Sequence, residues 1–496
     1  MKKRNFSLCA LLLCAVLLSA LSGCDVHAHT FRQTVIEPTC NSIGYTVNTC
    51  ACGETYYSDY LPETEHTFGD WITEQAATLI ADGEEYRACA LCGLLQTRDV
   101  ANLSALPKLY LDGAADGKEA IALRYTAGEE TGFSCNALLT QQADPDGGKH
   151  LYELQLLADS DEQQTFFADS DWGKQDRYLL FPQTLDPTYT RTLAAQALWN
   201  ACLSRQAESG ETPEWAASAL KSYVSINRSI VLQLYRDGAY VGLYLLSLPR
   251  DVRIGGENST GAALRAEDES EGCLFREKPS YTEDGSEGFS FLAGLDANTA
   301  WATDSFTAFA EFVHRSRDAA FREQLSQYTD PEVLFDYYLL LQFFGAPYGD
   351  TVGTVWYTTD LDHWLPTFDS YQLSYGLKAN GSPLGGAVGI PVPDEDGNVS
   401  YPGQSLLWER IIRLFPEELA RRYRTLQQTV LRPDALYEAF LAQYEQIEPG
   451  LFEEEAALSP SVEAAGDTER IRTYLSARMT AMDGWIQALE GPTAVS

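Results

Sequence analysis

The sequence predicts an α+β protein in which a small cysteine-rich module precedes a large mixed domain. Five cysteines crowd between residues 40 and 92, and only Cys135, Cys202 and Cys273 occur in the long remainder. Apolar runs flanking Asp237-Gly238 mark a hairpin. Runs with helical spacing follow in no regular βαβ order, which favours α+β over a doubly wound sheet.

The first element is a leader. Met1 to Arg4 carries three positive groups, and Phe6 to Leu21 is apolar except for Ser7 and Ser19. This is the pattern of a secretory signal. Leu21-Ser22-Gly23-Cys24 has lipobox spacing, so residues 1–24 read as a lipoprotein signal peptide with Cys24 as the lipidated residue. A diacylglycerol supplies two chains at about 0.8 kcal/mol per buried methylene, enough for stable anchoring. The expected location is the extracytoplasmic face of the cell membrane, with the lipid anchor as the membrane contact. The formal net charge is −36, and loss of Lys2, Lys3 and Arg4 with the leader lowers it by three, to −39. So acidic a chain repels phosphate backbones, which excludes nucleic acid as a partner.

Residues 25–100 form the cysteine-rich module, in two similar blocks. The first carries His29-Thr30-Phe31, Thr39-Cys40, Gly44 and Cys50-Ala51-Cys52-Gly53. The second carries His66-Thr67-Phe68, Thr78, Gly83 and Cys89-Ala90-Leu91-Cys92-Gly93. Each block is too short to bury a core of its own, so a staple is expected. The Cys-x-x-Cys-Gly turn is that of a zinc knuckle, which makes the module zinc-ribbon-like. Cys50, Cys52, Cys89 and Cys92 are the expected ligands of one Zn²⁺, with His29, His66 or Cys40 as substitutes. Disulfides are the alternative that an exported location favours. The blocks are similar to Cys/His repeats of Gram-positive surface proteins, which implies a spacer or adhesive role.

The large domain spans 106–490. Leu109 to Leu111 before Asp112-Gly113 reads as a strand and turn. His150 to Leu157, alternating through Tyr152, Leu154 and Leu156, reads as a half-buried strand. Asp186-Pro187 and Asp330-Pro331 each read as an N-cap followed by proline at the first helical position. The second of these helices is apolar on most sides through Phe344, hence central, and ends at Gly345. A second hairpin runs from Val355 to Phe368 around Asp360-Leu361-Asp362, with Asp369 at its end. Gly376 to Gln404 reads as a loop, and helices follow from Leu406, near Leu436 to Ile447, and over Thr468 to Leu489. No Gly-x-Ser-x-Gly elbow or Walker phosphate loop occurs, so hydrolase and P-loop chemistry lack support.

This ordered series resembles the spore-coat protein H (CotH) kinase family. The resemblance is carried by Lys149-His150-Leu151-Tyr152, by Asp186 to Arg191, and by the hairpin with Gly238, Tyr240, Gly242 and Tyr244. It continues through Gly272, Leu274 and Lys278, then Gly349-Asp350, then Pro366-Thr367-Phe368-Asp369 with Tyr375-Gly376. It implies a CotH-like atypical protein kinase fold and phosphoryl transfer from ATP, with Mg²⁺, to secreted or cell-wall proteins. On that likeness Asp350 and Asp369 are the catalytic and metal residues, and Lys149, Arg191 and Lys278 are the phosphate contacts. The chain also departs from the pattern. Tyr371 replaces the second aspartate of Trp-Asp-x-Asp, Phe368 replaces its tryptophan, and Gly353-Thr354 stands where an asparagine belongs. Magnesium is usually held by one or two carboxylates plus phosphates, so these losses weaken the site without abolishing it. Two readings follow: an atypical protein kinase, or a non-catalytic binding or adhesion lipoprotein.

Overall fold

The computed structural model describes residues 28–490 except 129–130, 143–148, 158–171, 174, 183–185, 187, 250–260, 283–285, 294–298, 345–351, 369–404 and 459–467. The lipobox with Cys24, Gly345, Asp350, Asp369 and the Gly376 to Gln404 stretch lie outside the described residues. The chain divides into two compact units, residues 1–103 and 104–496.

The first unit holds two antiparallel three-stranded sheets. One orders β1 (Phe31–Ile36), β2 (Gly44–Cys50) and β3 (Thr55–Leu61). The other orders β4 (Ile72–Gln75), β5 (Gly83–Ala88) and β6 (Leu95–Val100). Each sheet is one of the sequence blocks, and each turns at a knuckle. Cys50 and Gly53 close the first turn through Cys50 N–H to Glu54 O at 2.8 Å and Gly53 N–H to Cys50 O at 2.9 Å. Cys89 and Gly93 close the second through Cys89 N–H to Leu94 O and Gly93 N–H to Cys89 O, both 2.9 Å. The strands are mostly exposed. The buried apolar side chains described in this unit are those of Cys40, Cys50 and Cys89. Such a unit has thiols where a larger domain has leucines.

The second unit joins a barrel to a helix-backed sheet. The barrel closes in the order β10-β11-β13-β12-β7-β8-β9. Its strands are β7 (Lys108–Asp112), β8 (Asp116–Ala127), β9 (Thr131–Gln142), β10 (Leu151–Leu156), β11 (Arg177–Phe181), β12 (Ser229–Arg236) and β13 (Ala239–Ser247). Alternate residues such as Leu109, Leu111, Leu123, Tyr152, Leu154 and Leu232 fill its interior. The β12–β13 hairpin turns at Asp237 (φ 50°) and Gly238 (φ 78°), the two positive φ values that a two-residue hairpin turn requires. The β12–β7 pairing is parallel; the remaining neighbours are antiparallel.

The second sheet orders β15-β16-β14-β17-β18, with β14 at Ala262–Ala266, β15 at Tyr281–Thr282, β16 at Phe289–Ala293, β17 at Thr354–Thr358 and β18 at Leu365–Phe368. Around it lie α1 (Arg191–Glu208), α2 (Glu214–Ile226), α3 (Thr299–Arg315), α4 (Asp318–Gln324) and α5 (Pro331–Phe344). Then follow α6 (Leu406–Leu414), α7 (Pro416–Gln427), α8 (Pro433–Tyr444), α9 (Pro449–Leu458) and α10 (Thr468–Leu489). Helix α5 is buried from Val333 to Phe344, and it packs on α1, α7, α10 and β18. Its cap is the expected one: Asp330 Oδ1 accepts from Glu332 N–H at 2.9 Å and Val333 N–H at 3.3 Å. The helix expected from Asp186-Pro187 instead begins at Arg191. The Asp186 carboxylate is taken by the N–H and hydroxyl of Thr188 and by Arg191 N–H. It therefore organises a turn ahead of the helix, and Tyr189 within that turn has φ 58°.

Candidate functional site: two thiol clusters and a buried lysine–glutamate pair

The four cysteines expected around a single ion divide between two clusters, because each knuckle belongs to its own sheet. Cys40, His66, Cys89 and Cys92 bring one ligand atom each within 4.8 Å of one another, and so do His29, Cys50 and Cys52. In the first cluster Cys40 Sγ lies 3.8 Å from Cys89 Sγ, and Cys92 Sγ lies 3.5 Å from His66 Nδ1. Tetrahedral zinc with bonds of about 2.3 Å to sulfur and about 2.0–2.1 Å to nitrogen has edges of about 3.8 Å (S–S) and about 3.5 Å (S–N). The cluster therefore fits zinc closed by four protein ligands. The cysteines described in this unit are free thiols. A sulfur separation of 3.8 Å is nearly twice a disulfide bond. The N–H of Leu91, backed by that of Cys92, draws the Cys89 thiol down to about 6, against the pull of burial. Cys40, facing Cys92 and Cys89, is pushed up to about 11.

In the second unit two of the three residues expected as phosphate contacts, Lys149 and Arg191, each engage an acidic side chain, Glu455 and Asp186 respectively. Lys149 precedes β10 and is buried. Its Nζ donates to Tyr189 Oη at 2.9 Å, to the carbonyl of Leu243 at 3.3 Å and to Glu455 of α9. Glu455 also accepts from Tyr189 Oη, from Tyr240 Oη at 3.0 Å and from Leu243 N–H at 2.6 Å. The ion pair thus ties the barrel to a helix 306 positions later in the chain. Gly242 makes room for it, since a Cβ there would fall on the Lys149 ammonium. Burial lowers the Lys149 ammonium from its usual range and Glu455 opposes that shift; the Tyr189 and Tyr240 phenols are raised, burial first and Glu455 second.

Arg191 lies two residues beyond Tyr189, nearly fully buried, with Nε 3.4 Å from Asp186 Oδ1. Together with Arg478, its charge holds down Tyr474, a phenol that burial raises to about 12. Tyr474 Oη donates to Phe344 O at 3.0 Å, and Arg478 Nε to Gln342 O at 2.6 Å. Two side chains of α10 thereby satisfy carbonyls at the end of α5, where a helix leaves its last acceptors unpaired. Phe344 in turn meets Phe368 of β18 at a ring separation of 6.0 Å. Asp350 follows Phe344 by six residues and Asp369 follows Phe368 directly. Lys278 is exposed, in the segment between β14 and β15. Glu455 is the site residue that sequence reading missed. The signal available was Pro449, a helix-starting proline ahead of Leu451, Phe452 and Glu455 at helical spacing. A separate cleft of about 680 Å³ is lined by Arg205, Gln206, Asp330, Glu332 and Arg422 among others, and by none of the expected site residues.

A closed barrel, pinned to helix α9 by a lysine–glutamate pair, and a helix-backed sheet make the second unit a mixed α+β domain. Its sequence identifies it further: the pattern described as CotH kinase protein matches residues 148–482, more than half of the chain, and the chain belongs to that family. A search of curated proteins gave no match.

Proposed function

We propose that the protein is a membrane-tethered, extracytoplasmic CotH-family phosphotransferase acting on secreted or surface proteins, in which Asp350 and Asp369 share one magnesium ion. The observation that carries this reading is the Phe344–Phe368 contact, 6.0 Å between rings, because both aspartates are reached from it. Six residues span at most about 20 Å, so Asp350 is within reach of the place where Asp369 begins. Phosphoryl transfer is mostly positioning and charge neutralisation, and bound Mg²⁺ would supply the neutralising charge. The chain's own part is to hold Lys149, which hydrogen-bonds the Tyr189 hydroxyl, and Arg191, which opens α1 two residues beyond Tyr189. A lysine paired with a helix glutamate is also what protein kinases require of their nucleotide site, which supports an atypical kinase fold here. The tether is supported by the Leu21-Ser22-Gly23-Cys24 spacing. Among the described residues no helix is long and apolar enough to cross a membrane.

One observation favours a second reading, a non-catalytic binding or adhesion lipoprotein. An ammonium has three donors, and those of Lys149 are met by Tyr189, Leu243 and Glu455. A phosphate must displace one of them. Incubating the purified chain with labelled ATP, Mg²⁺ or Mn²⁺ and acceptor protein separates the readings. Transfer that disappears in Asp350→Ala and Asp369→Ala is expected. Absence of transfer, of self-labelling and of any nucleotide-dependent thermal shift leaves the binding reading. For the anchor, labelled palmitate is expected in the wild-type chain and lost in Cys24→Ser; release of the wild-type protein into the medium would refute the tether.

A further inference from the structure

We propose that the cleft between α1, α5 and α7 is a binding site for a small organic polyamine, recognised through its separated ammonium groups. The cleft holds about 680 Å³, within the range of small-molecule sites. Arg205, Glu208 and Glu211 line it from the end of α1 and the turn after it. Thr329, Asp330 and Glu332 line it from the start of α5, and Arg422 from α7. Thr329 is fully buried, and its Oγ1 has no hydrogen-bond partner among the described residues. An unpaired buried hydroxyl carries a desolvation cost that a donor entering the cleft recovers. This orphaned acceptor points to a ligand independently of the charges around it.

The charges choose the ligand. Arg422 gives its Nε and one Nη to the fully buried Asp336, so its charge is matched beneath the cleft. Glu332 is shared between Arg421 at 3.2 Å and Arg422 at 3.7 Å. Asp330 spends one carboxylate oxygen on the cap of α5. Glu208 and Glu211 are exposed and form no ion pair among the described residues. Arg205 is left to oppose these carboxylates, and the cleft is acidic in balance. Burial raises the Asp330 and Glu332 carboxyls, and the Asp336 charge adds to both shifts; an incoming ammonium opposes them. A metal ion needs its oxygen ligands gathered around one point. Among the described residues the cleft carboxylates form no such cluster. A polyamine instead sets its charges several bonds apart, and each ammonium brings its own N–H donors to carboxylates on separate segments.

Spermidine is the probe, titrated calorimetrically into the purified full chain. So acidic a protein attracts any polycation, so the control removes the same charge elsewhere: Glu438→Gln with Glu445→Gln, on and just after α8, which lines no part of the cleft. Saturable binding of one spermidine per chain is expected. Glu208→Gln with Glu211→Gln is expected to weaken it about 5- to 10-fold, and the control pair less than about twofold. Thr329→Val is expected to weaken binding while leaving the Tm of the free protein unchanged or higher; a hydroxyl with a purely structural role would lower that Tm when removed. A blocked Lys-Gly-Lys peptide carries the same ammonium groups on a polypeptide, and weaker binding than that of spermidine is expected. The reverse order would assign the cleft to lysine side chains of a partner and overturn the polyamine. Equal weakening by the two double variants, or titrations that never saturate, would overturn the site itself.

Discussion

Glu455 concentrates four polar partners on one carboxylate: Lys149, Tyr189, Tyr240 and the N–H of Leu243. Removing it strands a buried ammonium, a change that costs about 3–5 kcal/mol, so Glu455→Ala is expected to lose that much in denaturant unfolding. The pH dependence is more specific. Burial sets the Lys149 ammonium below its ordinary 10.5, and the Glu455 charge resists the shift. Between the lowered value and 10.5 the unfolded chain binds the extra proton, so stability rises with pH across that window. Glu455→Gln removes the resisting charge, lowers the Lys149 value further and extends the window toward neutral pH. Thermal unfolding of this variant is therefore expected to move upward from neutral to alkaline pH more steeply than that of wild type. Parallel pH profiles would show that the carboxylate does not hold the lysine charged.

At the scale of elements, α5 depends on one buried ion pair for its orientation. Asp336 is fully buried on α5 and takes both the Nε and an Nη of Arg422 on α7, the latter at 2.6 Å, with Gln206 of α1 3.2 Å away. Burial raises the Asp336 carboxyl and the Arg422 guanidinium opposes it. Arg422→Met alone is expected to cost about 3–5 kcal/mol, because it leaves an unmatched carboxylate. Asp336→Leu combined with Arg422→Met should recover most of that loss. A double variant no more stable than the single one would mean that packing of the arginine stem, not its charge, holds the helices. Helix α5 was legible in the sequence because Asp330-Pro331 and an all-round apolar run state both its start and its central place. The β12–β13 hairpin was equally legible through Asp237-Gly238. Strand β8 was not, although Ile121, Leu123 and Tyr125 alternate, since the exposed Lys118, Glu119 and Arg124 dilute the signal. Helix α9 was missed for a related reason: the three consecutive glutamates Glu453, Glu454 and Glu455 dilute its apolar spacing, and only the fold buries the last of them. The Lys149–Glu455 pair, closed across 306 positions, leaves no local trace.

For the molecule as a whole, the two units answer differently to the loss of metal. The second unit has extended apolar cores in its barrel and around α5, and among its described residues no metal-ligating cluster occurs. The first unit buries the side chains of Cys40, Cys50 and Cys89 in place of an apolar core. A unit of that size without a core folds on its staple, and structural zinc contributes apparent energies of about 10–16 kcal/mol in small zinc-binding peptides. A strong chelator is therefore expected to abolish the ordered structure of residues 28–103 while the main calorimetric transition of the CotH domain stays in place. Cys89→Ser should reproduce the chelator's effect without any chelator, since Cys89 belongs to the closed cluster and anchors the knuckle of the second block. Cys52→Ser should leave the first unit folded, since the closed cluster keeps its four ligands. Amide hydrogen exchange reads the outcome directly. Protection of β2 and β5 lost together in the chelated protein, with α5 and the barrel strands still protected, is the expected pattern. Retained protection of β5 after chelation would mean that the paired strands and the ring contacts of the sheets suffice to hold the unit, and that zinc has no part in its folding.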